Sequence, residues 1–147
     1  MSGYQEALTW IYGLESRGVK LGLVPMQQAL ALRGNPHDGL RYLHVAGTNG
    51  KGSVSTLVAA ALGEAGWRVG LYTSPHLISF RERIQVGGVP ISEEAVAMWT
   101  ARMTPLIQEL GATFFEATTA MAFADFAARG AEVVVVEVGL GGRLDST

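Results

Sequence analysis

A run of β-branched residues near the end of the chain constrains the fold more than any other feature. Residues 133–138 read Val-Val-Val-Val-Glu-Val. A strand of this kind is covered on both faces, as in the middle of a parallel sheet. Apolar runs at 42–46 and 69–73 predict two further buried strands, and segments with helical spacing separate the three. The sequence therefore predicts a doubly wound, mostly parallel α/β sheet with right-handed crossovers.

The remaining elements are expected from periodicity, capping residues and glycine stops. Helices are predicted at residues 4–16, 25–32, 53–65, 92–110 and 118–129. Residues 80–86 alternate like an exposed strand, and Gly87 and Gly88 turn it into a hairpin with residues 89–91. The helix at 53–65 is expected to bury one face, made of Val54, Leu57, Val58, Ala61 and Leu62.

Composition narrows the function classes. The 147 residues are long enough for one domain, and a hydrophobic fraction of 48% suits a globular protein. A net charge of −2, from 11 basic and 13 acidic residues, does not resemble a nucleic-acid binder. There is no cysteine, no apolar run long enough to span a bilayer, and no charged leader followed by an apolar stretch. We expect a cytoplasmic protein with no membrane or nucleic-acid partner.

A glycine-rich segment joins the first strand to the following helix. Residues 46–53 read Ala-Gly-Thr-Asn-Gly-Lys-Gly-Ser, and Lys51 is one of only two lysines, the other being Lys20. Small residues at a helix start let several backbone N–H groups face one anion, and lysine adds a full positive charge. The spacing departs from the standard P-loop, which has glycine where Val45 stands and no residue between lysine and serine. Spacing alone leaves a phosphate-binding loop and a plain glycine-rich turn as alternatives.

Two other strand ends carry polar residues. Glu137 lies inside the valine run, where a carboxylate is costly unless it is paired, binds a metal or caps a neighbouring helix. Ser74 and His76 follow the second strand in a Ser-Pro-His turn, and His76 could either face the cleft or hold the turn together. Because ligands bind at the carboxyl ends of parallel strands, we expect the glycine-rich segment, residues 73–76 and residues 137–146 to share one site.

Longer strings in these segments resemble a known family. Residues 45–53 resemble the ATP-binding loop of the folylpolyglutamate synthase/dihydrofolate synthase family, within the Mur ligase superfamily, which has the same additional glycine between lysine and serine. Residues 72–77 and 136–145 resemble two further motifs of that family. The resemblance implies ATP and Mg²⁺ as cofactors, Lys51 as the catalytic residue, and Ser74 and Glu137 as metal ligands. It implies a nucleotide site made of Gly47, Thr48, Asn49, Gly50, Lys51, Gly52 and Ser53.

The resemblance also implies contacts to a pterin-bearing substrate. They fall on two segments, Thr113-Phe114-Phe115-Glu116 and Leu144-Asp145-Ser146. From the residues alone, the first segment would be two core aromatics and an acid in a first helical turn. A third segment, Leu21-Gly22-Leu23, resembles the N-terminal substrate loop, although Val24-Pro25-Met26 replaces the Glu-Arg-Met common in relatives. Arg81 and Arg83 could steer an anionic substrate or simply occupy an exposed strand face.

The function implied is an ATP-dependent amide ligase that adds L-glutamate to dihydropteroate or folates through an acyl phosphate. The alternatives are a nucleotide-binding module without ligase activity, and a Mur-type ligase for cell-wall precursors, which the pteroate segments disfavour. Residues 1–147 are expected to be the N-terminal part of the ATP-binding domain, without a further histidine ligand, a carbamylated lysine and a C-terminal domain. We therefore expect no turnover from these residues alone. We expect a monomeric full-length enzyme, and self-association of the fragment through an edge beside residues 133–138.

Overall fold

One mixed β-sheet organises the chain in the computed structural model, which describes residues 2–20, 22–31 and 34–147. Its strands are β1 (Arg41–Val45), β2 (Val69–Tyr72), β3 (Ile84–Val86), β4 (Val89–Pro90) and β5 (Val133–Glu137). Their order across the sheet is β1-β5-β2-β3-β4. Strand β5 pairs in parallel with β1 and β2, whereas β3 pairs antiparallel with β2 and β4. The predicted parallel core and the predicted hairpin are both confirmed.

Helices cover both faces of this sheet. They are α1 (Gly3–Gly13), α2 (Val24–Ala31), α3 (Lys51–Glu64), α4 (Glu93–Leu110) and α5 (Phe114–Ala128). Val133 and Val135 of β5 pack on the α3 side, whereas Val134 and Val136 belong to the larger core with α1, α4 and α5. The valine run is buried along its whole length because consecutive residues point to opposite faces and both faces are covered. The doubly wound α/β prediction is therefore confirmed.

The helix starts follow short capping patterns. Ser92 caps α4, as predicted, by accepting a hydrogen bond from the Ala95 N–H. Helix α5 begins at Phe114, four residues before the predicted start, because Thr113 and Glu116 form a capping box there. Leu32, at the predicted end of the second helix, lies outside the described residues. No helix in the described ranges is both long enough and apolar enough to cross a membrane.

Strand β1 is the exposed edge of the sheet. The first four of its residues are exposed, among them Tyr42 and Leu43 at 40% and 42%. The prediction of a buried strand here was wrong: within the described residues β1 pairs with β5 alone, and the faces of its first four residues are left largely uncovered. The prediction of an exposed edge beside residues 133–138 was also wrong, since β5 lies between β1 and β2. The other edge strand, β4, has only two residues, so the five-residue β1 is the edge at which we expect pairing with another chain.

Helix α3 presents a different face from the predicted one. Val54 and Leu57 are 48% and 70% exposed. Ser55 is fully buried instead, and Val58, Ala59 and Leu62 pack against the sheet. The helix begins directly after Gly50, and its sheet-facing side carries Ser55 rather than Val54 and Leu57. The positions of the apolar residues alone did not show which side of this helix would face the sheet.

Residues 80–86 do not form the predicted exposed strand. Phe80–Arg83 is a 3₁₀-helix with a capping box between Ser79 and Glu82, and the following strand β3 is mostly buried. Residues i and i+3 of a 3₁₀-helix share a side. Phe80 and Arg83 are therefore both buried, whereas the predicted alternation would put them on opposite faces of a strand.

Candidate functional site

The carboxyl ends of the three parallel strands meet at one edge of the sheet. Val45 of β1 is in register with Glu137 of β5, and Tyr72 of β2 is in register with Val136. The Val138 N–H donates to the Val45 carbonyl at 2.9 Å, which continues the pairing past the end of β5. The glycine-rich segment, the Ser74 turn and residues 138–147 all leave the sheet from this edge. Their predicted convergence is confirmed.

The glycine-rich segment ends in an open helix N-terminus. Gly50 has φ +73°, a left-handed conformation that favours glycine, and its carbonyl accepts a hydrogen bond from the Val54 N–H at 2.9 Å. In the described part of the chain, no side chain caps this helix and no acid lies in its first turn. The N–H groups of the first turn thus remain available to an anion.

Lys51 stands at this positive helix end. Its side chain is partly buried, and among the described residues it forms no hydrogen bond or ion pair. A lysine at a helix N-terminus is unfavourable because both carry positive charge. A bound polyanion would remove that cost, which a plain glycine-rich turn would leave uncompensated.

Glu137 connects the three loops. Glu137 is 5% exposed, and its Oε2 accepts a hydrogen bond from the Ser74 N–H at 3.1 Å. A Cβ placed on Gly52 would lie 3.5 Å from the same oxygen, so the carboxylate lies against the start of α3. It does not cap that helix, whose N-cap is Gly50 without a side-chain bond.

The oxygens at this point suit a hard divalent cation. Glu137 Oε1 and the Ser74 hydroxyl have no hydrogen-bond partner among the described residues, and neither is fully enclosed. No cluster of three or more His, Asp or Glu side chains able to hold a metal occurs in those residues. Mg²⁺ commonly takes one or two protein oxygens and completes its shell with water and phosphate. The donor set therefore fits Mg²⁺.

His76 holds the turn rather than facing an open cleft. Its Nδ1 accepts a hydrogen bond from Arg83 Nε at 2.8 Å, and its Nε2 lies 3.3 Å from the Tyr12 hydroxyl. Burial, and then the Arg83 charge, lower the pKa of His76 from its ordinary value. A neutral ring is what the Arg83 contact requires, because a protonated Nδ1 could not accept.

A cavity of about 300 Å³ opens beside Ser74. The predicted substrate residues Thr113, Phe115, Leu144, Asp145 and Ser146 line it. Other parts of the wall come from the loop before α2, the Ser74 turn, the 3₁₀-helix and the glycine-rich C-terminal segment: Gly18, Val19, Lys20, Pro75, Arg83, Gly139 and Leu140. The cavity thus adjoins the Ser74–Glu137 pair.

Residues 113–116 divide between the cavity and its support. Thr113 and Phe115 line the cavity, whereas Phe114 stacks on Tyr12 with ring centroids 5.8 Å apart. Glu116 Oε2 accepts hydrogen bonds from the Thr113 N–H at 2.8 Å and hydroxyl at 3.0 Å. Its Oε1 is buried without a partner in the described residues. The contacts of Glu116 seen here are those of a helix cap.

Asp145 shapes the C-terminal segment. Its Oδ2 accepts from the Leu140 N–H at 2.7 Å, and its Oδ1 accepts from the Thr147 N–H and hydroxyl at 3.0 and 2.6 Å. These bonds draw residues 139–147 into a closed turn against the cavity. Gly139 packs on Phe115 so closely that a Cβ there would lie 2.6 Å from the ring.

The N-terminal substrate loop is brought only partly to this cavity. Leu21 lies outside the described residues. The Gly22 N–H donates to the Leu144 carbonyl at 3.4 Å, which joins two predicted substrate segments. Leu23 lines a second cavity, of about 570 Å³, that shares Asp145 and Ser146 with the first.

Comparison with other proteins shows which family this chain resembles in sequence. A scan of family models gives no match. The dihydrofolate synthase/folylpolyglutamate synthase of Bacillus subtilis is 46% identical over 156 residues, which cover 99% of this chain and 36% of that protein. The folylpolyglutamate synthase of Lacticaseibacillus casei is 39% identical, over 98% of this chain and 35% of its own. The chain belongs to the folylpolyglutamate synthase/dihydrofolate synthase family.

Solved structures of the family agree with the observed architecture. Folylpolyglutamate synthase from Thermotoga maritima superposes with a TM-score of 0.90 at 45% identity, covering 97% of this chain and 34% of that one. The Mycobacterium tuberculosis enzyme complexed with ADP gives 0.89 at 37% identity, over 99% and 35%. The predicted Mur-ligase-like α/β fold is confirmed. The chain spans about a third of the length of these relatives.

The sequence interpretation left the position of one site residue open. Arg83 was expected either to steer an anionic substrate or to occupy an exposed strand face, and the structure shows it 7% exposed in the cavity wall. The Ser79-x-x-Glu82 spacing could have indicated the helical turn that carries Arg83 inward.

Proposed function

We propose that this chain contributes the nucleotide-binding part of an ATP-dependent ligase that joins L-glutamate to dihydropteroate or a folate. The observation that carries the proposal is the open N-terminus of α3, with Lys51, next to the Glu137–Ser74 pair and a cavity. Relatives with the same fold have been solved with ADP and with AMPPCP. Family names that combine folate and glutamate supply the substrate class.

The reaction would proceed in two transfers. A carboxylate oxygen of the pteroate attacks the γ-phosphorus of ATP, the bond from that phosphorus to the β–γ bridging oxygen breaks, and ADP leaves. The glutamate amine then attacks the acyl-phosphate carbon. The bond from that carbon to the phosphate oxygen breaks, phosphate departs, and the nitrogen loses a proton to give the amide. Both steps need negative charge to be stabilised where phosphoryl oxygens move.

This chain's own groups would supply that stabilisation. The first-turn N–H groups of α3 and the residues from Gly47 to Ser53 would surround the β-phosphate. The Lys51 ammonium would lie against the β- and γ-phosphates and neutralise their growing charge. Glu137 and the Ser74 hydroxyl would hold Mg²⁺, which when bound would neutralise phosphate charge.

The cavity beside Ser74 would accept the pteroate. Its wall combines Phe115, Leu140 and Leu144 with polar groups of Thr113 and Asp145, which suits a flat heteroaromatic acid. A nucleotide-binding module without ligase activity would have no need of an acyl-substrate cavity next to its phosphate site. A cytoplasmic location and a monomeric full-length enzyme remain predictions.

Calorimetric titration with ATP and Mg²⁺ tests the nucleotide half of the proposal. Lys51→Ala should weaken binding by about 10-fold or more, because it removes a charge-assisted contact to phosphate. Glu137→Gln preserves an acceptor for the Ser74 N–H and removes the charge. It should therefore abolish the dependence of ATP affinity on Mg²⁺. Arg41→Ala, which deletes an exposed cation of β1, is the matched control.

Two results would contradict this part of the proposal. One is equal ATP affinity in the wild type, Lys51→Ala and Arg41→Ala proteins. The other is an unchanged Mg²⁺ dependence in a folded Glu137→Gln protein. Residues 1–147 alone are expected to release no ADP that depends on pteroate and glutamate together, and such turnover would overturn the expectation that further residues are needed.

A further inference from the structure

The cavity beside Ser74 contains a buried arginine with an incomplete set of partners. Arg83 is 7% exposed, and its Nε donates to His76 Nδ1 at 2.8 Å. No acceptor within the described residues receives a hydrogen bond from its two terminal nitrogens, and neither nitrogen is fully enclosed. Since Arg83 lines the cavity, those N–H groups are available there.

No carboxylate in the described part of the chain forms an ion pair with Arg83. Arg129 pairs with Asp125, and the His37 ring lies 3.4 Å from Asp38, but neither contact includes Arg83. Asp145 shares the cavity wall, but its two carboxylate oxygens already accept three hydrogen bonds from Leu140 and Thr147. A buried guanidinium without an anion is costly, so this end of the cavity favours an anionic ligand.

The guanidinium is held in place by its neighbours. Its central carbon lies 5.1 Å from the centre of the Phe114 ring, a cation–π contact. The His76 acceptor fixes the edge of the fork that carries Nε, so the opposite edge is left for a ligand. The Arg83 carbonyl accepts from the Thr73 N–H at 3.1 Å, which ties this residue to the turn that contains Ser74.

We propose that Arg83 binds the carboxylate of the aryl acid substrate and holds it beside Ser74, where phosphoryl transfer would occur. The fork of a guanidinium matches a carboxylate with two parallel hydrogen bonds. The apolar walls at Phe115 and Leu144 fit the aryl group of such an acid better than L-glutamate. This inference rests on the proposed function for the identity of the acid, but the anion site itself rests on Arg83.

Binding of small ligands tests the anion site at Arg83 separately from binding of the whole substrate. Wild-type protein is titrated with benzoate, benzamide, L-glutamate and pteroate, and binding is followed by chemical-shift changes in NMR spectra. We expect benzoate to bind about 10-fold or more tightly than benzamide, since only the carboxylate can accept charge-assisted bonds. Arg83→Gln should abolish this preference for benzoate and lower the affinity for pteroate by a similar factor. Arg83→Lys, which keeps the positive charge, should retain part of the preference.

The control is Arg81→Gln, which removes a neighbouring arginine whose Nε bonds the Ile91 carbonyl outside the cavity. It should bind all probes like the wild type. Unchanged pteroate affinity in Arg83→Gln would overturn the inference while leaving the proposed function intact. Arg83-dependent benzoate binding without any pteroate binding would refute the proposed substrate and retain the anion site.

Two further results test the inference without the comparison between the Arg83→Gln and Arg81→Gln proteins. If both Arg83 variants fail to fold, equal wild-type affinities for benzoate and benzamide would overturn it, and a clear preference for benzoate would support it. An Arg83-dependent response to L-glutamate, with none to benzoate, would overturn the assignment to the aryl acid.

Discussion

Gly139→Ala should disturb the contact between two predicted substrate segments. A Cβ on Gly139 would lie 2.6 Å from Phe115 Cζ and 2.9 and 3.0 Å from its two Cε atoms. On another side, Phe115 packs near Tyr72, which is fully buried, with ring centroids 6.0 Å apart. The Phe115 ring therefore has little room to withdraw into the core and should move toward the cavity.

The size of the effect follows from this overlap. An extra methyl group in a packed contact costs about 1–3 kcal/mol when neighbouring side chains must leave their preferred positions. For a domain of this size, about 1 kcal/mol corresponds to a change of about 2–4 °C in melting temperature. Gly139→Ala should therefore lower the melting temperature by about 2–12 °C. Pteroate affinity should fall as well, because the ring is displaced into the cavity.

Gly142→Ala is the matched control, because the same segment contains this second glycine with no atom within 4 Å of an added Cβ. Thermal unfolding followed by circular dichroism, together with pteroate titration of both variants, provides the measurement. If Gly139→Ala and Gly142→Ala melt at the same temperature and bind pteroate equally, Phe115 does not pack on Gly139 as described.

Two further predictions concern pH and association. Because the folded chain lowers the pKa of His76, the unfolded chain takes up a proton there first as pH falls below 6.5, and the free energy of unfolding should decrease in that range. Urea unfolding at about pH 7.5 and about pH 5.5 should show this decrease in the free energy of unfolding, and the decrease should be smaller in His76→Gln. An equal decrease in the wild type and in His76→Gln would exclude His76 as its source. Leu43→Lys places a charge on the exposed edge strand β1, where it opposes pairing with another chain, so it should reduce the self-association seen by light scattering. Leu57→Lys, at an exposed position of α3, is the control and should reduce it less. A wild type that is monomeric at high concentration would contradict it.

Local patterns in the sequence determined much of the architecture. Periodicity located the five helices and the parallel strands, because a buried strand and an amphipathic helix differ in apolar spacing. The convergence of the glycine-rich segment, Ser74 and Glu137 followed from strand order, since parallel strands end at one edge. The motifs also identified the family. The capping pattern at Thr113 and Glu116 was present in the sequence as well, but it was not used to place the start of α5.

Only the tertiary structure decided which of these groups meet and which face water. Strand β1 contains three apolar residues, Tyr42, Leu43 and Val45, yet its first four residues are exposed, because burial depends on what packs against the strand rather than on its own sequence. The buried position of Arg83 arises from packing between the 3₁₀-helix, His76 and Phe114. Likewise, the contact of Gly139 with Phe115 joins residues far apart in the chain. Such contacts are set by how separate elements dock, so local spacing carries little information about them.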